Sequence, residues 1–483
     1  MKYEYDSLYF GGEWHPHIRR DSLITVSPVS EEPLGRSPIA TEADVDAAVG
    51  AARQALRSAE WGGLSVEQRA DCLDRFADEL EKSSSLRARL TSEQNGMPLP
   101  VAEWAEGDGV VGLLRYYIGI LRTTPQEDIR ERVDGMGRTV VVREPVGVVA
   151  AVVPWNFPQV LTMFKVAPAL AAGCSVVIKP SPETTLDTFE LAAAADRAGL
   201  PPGALNIVPG GVSVGRYLIA HPGVDKVAFT GSTSAGREIG EVCGRLVRPA
   251  TLELGGKSAA VVLDDADLEL FAASLTTTSL LNNGQTCYLS TRLLVPAQLH
   301  DDVVEAVAAV MSGLTVGDPL EPGTQIGPLV SERQRDRVES YIAAGEAEGA
   351  KLVAGGVRTS GRDRGWFVQP TLFADTANDA RIAREEIFGP VLVVIPYRDV
   401  DTAIALANDS DFGLGGTVWT ADLERGARIA RRIESGTVGV NSFNLDFGSP
   451  FGGVKSSGVG RELGPEGLAA YHKLKTLLLP PGA

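Results

Sequence analysis

Cys287 closes the segment Asn282-Asn283-Gly284-Gln285-Thr286-Cys287, which lies between a helical stretch and a strand-like one. A thiol there could act as a nucleophile, or could lie buried and inert, the commoner fate of a lone cysteine. A cysteine–histidine hydrolase needs an imidazole nearby, and the nearest in sequence, His300, falls beyond the next strand. Any thiolate at Cys287 would therefore depend on local dipoles, a lysine or a cationic cofactor. Glu253 ends the strand-like run Ala250-Thr251-Leu252 and precedes Gly255 and Gly256. So placed, it reads either as a general base whose pKa is lifted by burial or as a salt-bridged residue at a domain boundary. Asn156, within Pro154-Trp155-Asn156-Phe157-Pro158, follows another strand; its amide could donate to a developing oxyanion or stabilise a turn between two prolines. Three lysines, Lys165, Lys179 and Lys257, stand beside these strand-end segments.

The elements that must hold these groups are legible from Val146 onward. VGVVAAVVP, SVVIKPS, ALNIVPG and DKVAFTG read as buried parallel strands, and the Ala/Leu-rich stretches between them as crossover helices. That alternation predicts a doubly wound α/β sheet, which binds ligands beyond the carboxyl ends of its strands. Phe229-Thr230-Gly231-Ser232-Thr233 stands at such an end just before a helix, where free N–H groups favour an anion; an ordinary strand-to-helix turn is the alternative. Two weaker phosphate motifs fail in detail. GSTSAG (231–236) lacks the Lys-Ser/Thr of a Walker loop, and GVGREL (458–463) lacks the third glycine of a dinucleotide fingerprint. A second αβ series begins near Lys257. DIRERVDGMGRTVVVREP reads as an exposed hairpin around Gly135, and the tail YHKLKTLLLP as a short apolar strand with no intrachain partner in view. Two such edges call for a cover, which another subunit could supply.

Composition narrows the classes. The 483 residues suffice for several domains with substantial cores, and the net charge of −17 disfavours a polyanion, so nucleic acid is not an expected partner. The amino terminus lacks the basic and apolar regions of a secretory signal, and the longest apolar run, Val166 to Ile178, is too short to cross a bilayer and contains Pro168. The ending Pro-Pro-Gly-Ala is no lipidation signal. A soluble cytoplasmic protein without a membrane partner is expected. The four cysteines include no Cys-x-x-Cys pair, so no metal site is expected and an active cysteine would work alone.

Seven ordered motifs then resemble those of the NAD(P)-dependent aldehyde dehydrogenase superfamily: PWNFP (154–158), KPS (179–181), FTGST (229–233), ELGGKS (253–258), GQTC (284–287), EEIFGP (385–390) and PFGGVKSSG (450–458). The resemblance runs from about Phe10 to Leu479, and the 34 positions from Glu253 to Cys287 match the family's base-to-nucleophile spacing. It implies a Rossmann-like cofactor-binding domain (1–124 and 146–255), a catalytic domain (256–457), a segment returning to the cofactor domain (458–469) and a small β oligomerisation element (125–145 and 470–483). A homodimer or homotetramer is implied with it.

By the same resemblance Cys287 attacks the aldehyde carbonyl, the Asn156 amide and the Cys287 N–H stabilise the oxyanion, and Glu253 activates the water that hydrolyses the thioester. Lys165 matches a lysine near the reacting centre. NAD would be held by Trp155, Lys179, Ser181, Gly231, Ser232, Gly255, Glu386 and Phe388. One position departs from the pattern: the glutamate that many members carry three residues after the KPS lysine is here Pro182, with Glu183 next, which leaves NADP less excluded. The implied aldehyde tunnel is lined by Phe157, Val160, Leu161, Phe164, Thr286, Tyr288 and residues from Phe443 to Phe451. It is mainly apolar and has no arginine to clamp a carboxylate, so a medium-sized aliphatic, aromatic or terpenoid aldehyde is expected. Asp446 would alter this if it faced the tunnel; the expectation is that it faces solvent. The rivals are an enzyme that passes the acyl group to coenzyme A, against which Glu253 argues, and a catalytically silent homologue.

Overall fold

The β-branched runs after Val146 become β1 (Val148–Val152), β2 (Ser175–Lys179), β3 (Leu205–Ile207), β4 (Lys226–Thr230) and β5 (Ala250–Glu253). They pair in parallel in the order β3-β2-β1-β4-β5. That order reverses direction between β1 and β4, so a crevice opens at their carboxyl ends. Antiparallel strands extend the sheet, Ser7–Phe10 and Glu13–Pro16 beyond β3 and Gly458–Val459 beyond β5. The computed structural model describes residues 1–17, 21–359 and 361–480; positions 18–20, 360 and 481–483, which fall within the expected cofactor, catalytic and tail segments, lie outside the described residues.

Burial of both sheet faces explains why these strands read as continuous apolar runs. Val149 and Ala151 of β1 pack into one core with α1 (Pro158–Ala171) and α2 (Leu186–Arg197), while Val148, Ala150 and Val152 pack into the opposite core with α3 (Val212–Ala220) and α4 (Thr233–Arg245). This is the period-two alternation of a strand with a helical layer on each side. Every residue of α1 is buried, and Pro168 sits inside it.

A second sheet supplies the nucleophile. Its main parallel strands are β6 (Ser258–Val262), β7 (Ser290–Pro296), β8 (Thr371–Ala374), β9 (Val391–Tyr397) and β10 (Gly416–Trp419), in the order β8-β9-β7-β6-β10. Cys287 lies in the loop that leads into β7. The fold is thus α/β, with two wound sheets whose ligand-binding edges face the same region of named residues described below.

One expectation needs correction. The tail strand His472–Leu479 has an intrachain partner: all eight residues pair antiparallel with Arg138–Pro145, which also pairs with Glu127–Glu131. The hairpin therefore forms as expected, but its inner strand is central in a three-stranded sheet, and the tail is one of the two edges. Apolar residues of this sheet, Ile129, Leu474, Leu477 and Leu478, stay exposed. Among the described residues no helix is long and apolar enough to cross a membrane.

Candidate active site

Asn156 sits just past the end of β1, Ser232 past β4, and Glu253 at the end of β5, so the switch point between β1 and β4 gathers them. The chain around Asn156 is clamped: its backbone carbonyl accepts from the side-chain amides of Asn95 at 3.1 Å and Asn282 at 2.8 Å, and its own amide donates to the Gln285 carbonyl at 3.0 Å. An amide nitrogen carries two hydrogens, so one stays available for a ligand.

The loop that carries Cys287 is unusual in its backbone. Asn282, Asn283 and Gly284 all have positive φ, of 51°, 61° and 76°. Such a run persists only when its surroundings over-determine it. Here the Asn283 amide donates to the carbonyls of Gly96 and Pro328 and accepts from Gly327, and the Gln285 side chain accepts from Val330. The thiol is thus held from sequence-distant segments. Burial first, then the carboxylates of Glu386 and Glu253, push the Cys287 thiol well above its ordinary range.

Glu253 is buried, and among the described residues neither carboxylate oxygen has a hydrogen-bond partner of good geometry. Burial, reinforced by the charge of Glu462, raises its pKa well above the ordinary carboxylate value, while Lys165 and Arg461 pull the other way. A Cβ added at Gly452 would stand 2.5 Å from Glu253 Oε1, so that position must be glycine for the carboxylate to sit here. Lys165 is wholly buried and donates to Thr230 Oγ1 at 2.6 Å and Glu462 Oε1 at 2.9 Å. The other oxygen of Glu462 has no partner. Glu462 escaped the sequence reading; the glycine-framed GVGREL that contains it was noticed only as a failed phosphate motif.

Two cavities converge on Asn156 and Cys287, while Glu253 borders neither. One, of about 310 Å³, is lined by Phe157, Val160, Leu161, Phe164, Thr286 and Tyr288 and, of the expected stretch from Phe443 to Phe451, by part only, Phe451 among it. The first four follow helical spacing on α1, and Tyr288 stacks on Phe443 at 4.6 Å and meets Phe451 edge-on. Leu445 and Phe447 join them, whereas Asp446 is exposed, accepting from Gly448 N–H and Ser449 Oγ, and is not part of the lining. A wall that the sequence reading missed comes from Trp104, Ala105, Asp108, Gly109 and Gly112. Its only signal is a pair of glycines three apart in an otherwise helical pattern. Among the described residues no lysine or arginine lines this cavity.

The second cavity, of about 850 Å³, is more polar than the first and is bordered by Trp155, Gly231, Ser232, Gly255, Glu386 and Phe388. Ser232 caps α4, its hydroxyl accepting from Ala235 N–H, so the first turn of that helix faces the cavity. Trp155 and Phe388 meet edge to face at 5.3 Å. Glu386 accepts from Gly256 N–H at 3.0 Å, and burial lifts its carboxyl to about 7. A Cβ at Gly255 would fall 2.5 Å from Glu386 Oε2, so the glycine keeps this cradle open. Four arginines, Arg237, Arg333, Arg337 and Arg384, supply positive charge to a protein that is acidic overall, and none was read from the sequence. Helix N–H groups, cations and a half-buried carboxylate suit a dinucleotide's phosphates and ribose hydroxyls.

Two expected cofactor residues stand apart from this lining. Lys179 is buried, its ammonium donating to the Pro180 carbonyl at 2.7 Å and pulled down to about 8 by desolvation; Ser181 donates to Glu183 at 2.6 Å, and Glu183 also pairs with Arg333 at 2.8 Å. Lys257, flagged for its position, borders a small pocket with Cys287 and Glu386, and burial pulls its ammonium down to about 7.

The raised thiol pKa yields a first prediction. Alkylation of Cys287 by iodoacetamide in the cofactor-free protein should accelerate about tenfold per pH unit between about pH 7 and 9, following the thiolate fraction. Cys72, Cys174 and Cys243 are buried and should not compete. A rate already level below pH 8 would contradict the electrostatics.

Residues 14–477 match the aldehyde dehydrogenase family. The chain is 53% identical over 481 residues to geranial dehydrogenase of Castellaniella defragrans, covering 99% of this chain and 100% of that one. It is 40% identical to phenylacetaldehyde dehydrogenase of Pseudomonas fluorescens over 98% of this chain and 95% of the other. The crystal structure of an aldehyde dehydrogenase of Mycobacterium tuberculosis complexed with NAD+ superposes with a TM-score of 0.97 at 44% identity, each chain covered in full.

Proposed function

The chain belongs to the aldehyde dehydrogenase family and oxidises an aldehyde with NAD; within that activity we propose that its substrates are medium-sized apolar aldehydes, terpenoid, aromatic or aliphatic, released as carboxylic acids. The observation that carries this is the meeting of the two cavities: Asn156 and Cys287 border both the apolar tunnel and the polar cleft. An aldehyde in the tunnel would present its carbonyl carbon to the thiol and its oxygen to the free N–H of Asn156. The names of the relatives, a geranial and a phenylacetaldehyde dehydrogenase, agree with that tunnel chemistry.

The residues divide the chemistry. Cys287 reacts as its thiolate, the thiol proton having passed to solvent; the sulfur adds to the carbonyl carbon, and the Asn156 amide with the Cys287 backbone N–H stabilises the oxygen that gains charge. NAD, when bound, would supply the acceptor for the substrate's hydride, and loss of that hydride from the carbon would leave a thioester on Cys287. Glu253 takes a proton from water, the hydroxyl adds to the thioester, and collapse expels the Cys287 sulfur and frees the acid. Lys165, tied to Glu462, stands beside Glu253 and opposes the rise of its pKa. The cofactor would be held at its phosphates by Ser232, Gly231 and the start of α4, at a ribose by Glu386, and beside Trp155, Gly255 and Phe388, with Lys179 and Ser181 toward its far end.

The same reading assigns 1–124, 146–255 and 458–469 to cofactor binding and 256–457 to the thiol-bearing part. In support, one sheet draws its strands from 7–16, 148–253 and 458–459, the other from within 258–440. The hairpin and tail, 125–145 and 470–483, would join subunits into a homodimer or homotetramer; their exposed Ile129, Leu474 and Leu478 favour it. Four unpaired cysteines suit the reducing cytoplasm.

A panel of aldehydes tests the substrate class. If the tunnel binds the chain, kcat/KM should rise several-fold per added methylene, each worth ~0.8 kcal/mol, until the cavity is filled. Geranial and octanal should then exceed acetaldehyde and succinate semialdehyde. A preference for a charged aldehyde would overturn the assignment, and running the panel with NADP as well as NAD measures the consequence of Pro182.

A further inference from the structure

Glu106 is completely buried, and none of the steps above uses it. It lies in the helix that forms the missed wall of the tunnel. That helix begins at Leu99–Ala102, widens to a π-helix over Glu103–Gly109 and continues as Val110–Thr123. π-helical turns are rare and tend to occur at functional sites. Trp104, Asp108 and Gly109 of the widened turn face the tunnel, while the Glu106 side chain reaches α1.

Its carboxylate accepts from the backbone N–H of Gln159 at 2.6 Å and of Val160 at 3.3 Å. These are first-turn amides of α1, which Phe157, at the N-cap, cannot satisfy with a side chain. A helix's first N–H groups lack intrahelical partners and its start carries partial positive charge, so a carboxylate there serves as a cap supplied from another element. The widened turn is fixed from behind as well. Buried Arg87 donates to the carbonyls of Glu106 at 2.5 Å and Gly107 at 3.3 Å. One carboxylate thus joins the π-helical wall to the helix that carries Phe157 and Val160 and directly follows Asn156.

We propose that Glu106 is a positioning residue of the oxidation: by holding the first turn of α1 against the π-helical wall, it sets the pose of the Asn156 amide and the width of the tunnel at Phe157 and Val160. The proposal rests on the reading of Asn156 as the oxyanion donor.

Glu106→Leu keeps much of the volume and removes the acceptor; Glu106→Gln keeps an acceptor. With octanal, Glu106→Leu should lose kcat/KM on the order of 10- to 100-fold, as small misplacements distant from the chemistry do. NADH affinity, read by fluorescence titration, should be unchanged, and Glu106→Gln should recover most of the loss. The losses from Glu106→Leu and Asn156→Ala should fail to add in the double variant, because the first already spoils what the second removes. Wild-type octanal kinetics in Glu106→Leu would overturn the proposal. So would full additivity with an impaired Asn156→Ala, a glutamine no better than leucine, or an equal weakening of NADH binding, each of which marks a cap that only supports the fold. Full turnover in Asn156→Ala alone would instead overturn the underlying reading of Asn156, and the proposal with it. Should Glu106→Leu not fold, Glu106→Asp, whose acceptor is withdrawn by one methylene, must lose octanal kcat/KM with NADH affinity intact; unaltered octanal kinetics there would overturn the proposal equally.

Discussion

Replacing Cys287 with alanine is expected to abolish aldehyde-dependent formation of reduced nicotinamide, a fall of at least about 10⁴-fold if covalent catalysis carries the reaction. NAD binding should survive, because the cleft around Ser232, Glu386 and Phe388 is built from other elements. The loop itself should also survive. Its positive-φ residues are held through the Asn283 and Gln285 side chains rather than through the thiol. The measurement is steady-state turnover alongside fluorescence titration with NADH. Residual turnover within a hundredfold of the parent would mean that the nucleophile is elsewhere.

Glu253→Gln should separate the two halves of the reaction. Losing a positioned base should slow thioester hydrolysis by about 10²- to 10⁴-fold. Formation of the thioester should persist, so rapid mixing would record a burst of reduced nicotinamide approaching one per site, followed by a very slow steady rate. The raised pKa fixes the sign of the pH dependence. Burial and Glu462 favour the protonated carboxyl, which cannot accept a proton from water; the active form accumulates as pH rises. Parent turnover limited by hydrolysis should therefore climb with pH through the neutral range, and the glutamine variant should lack that limb. Disappearance of the burst together with the steady rate would place Glu253 before hydride loss. An acyl-coenzyme A product without free acid would assign the parent enzyme to the rival acyl-transfer chemistry.

The sequence by itself determined which groups exist to react and on which kind of element they stand. Continuous β-branched runs must be buried strands because their residues are apolar on both faces, and that predicts a wound sheet with Asn156, Ser232 and Glu253 at strand ends. Phe157, Val160, Leu161 and Phe164 are equally legible, because three- and four-residue spacing puts them on one side of α1. These are local properties, set by periodicities of a few residues.

What only the tertiary structure decided depends on partners distant in the chain. Lys165 and Glu462 are 297 positions apart, and beside Glu253, whose pKa burial raises first, the Glu462 charge raises it further while the Lys165 charge lowers it. Arg333 and Arg337 are ordinary cations until their helix, Glu332–Ala347, brings them to the cavity that Ser232 also borders. The tail was read as unpartnered because a strand's hydrogen bonds leave no trace in its own residues; its partner begins more than three hundred positions earlier. Glu106 could be any helical glutamate until its oxygen is found on α1. Desolvation, charge and cavity shape arise from what stands opposite a group in space, and no short-range pattern in the chain encodes that.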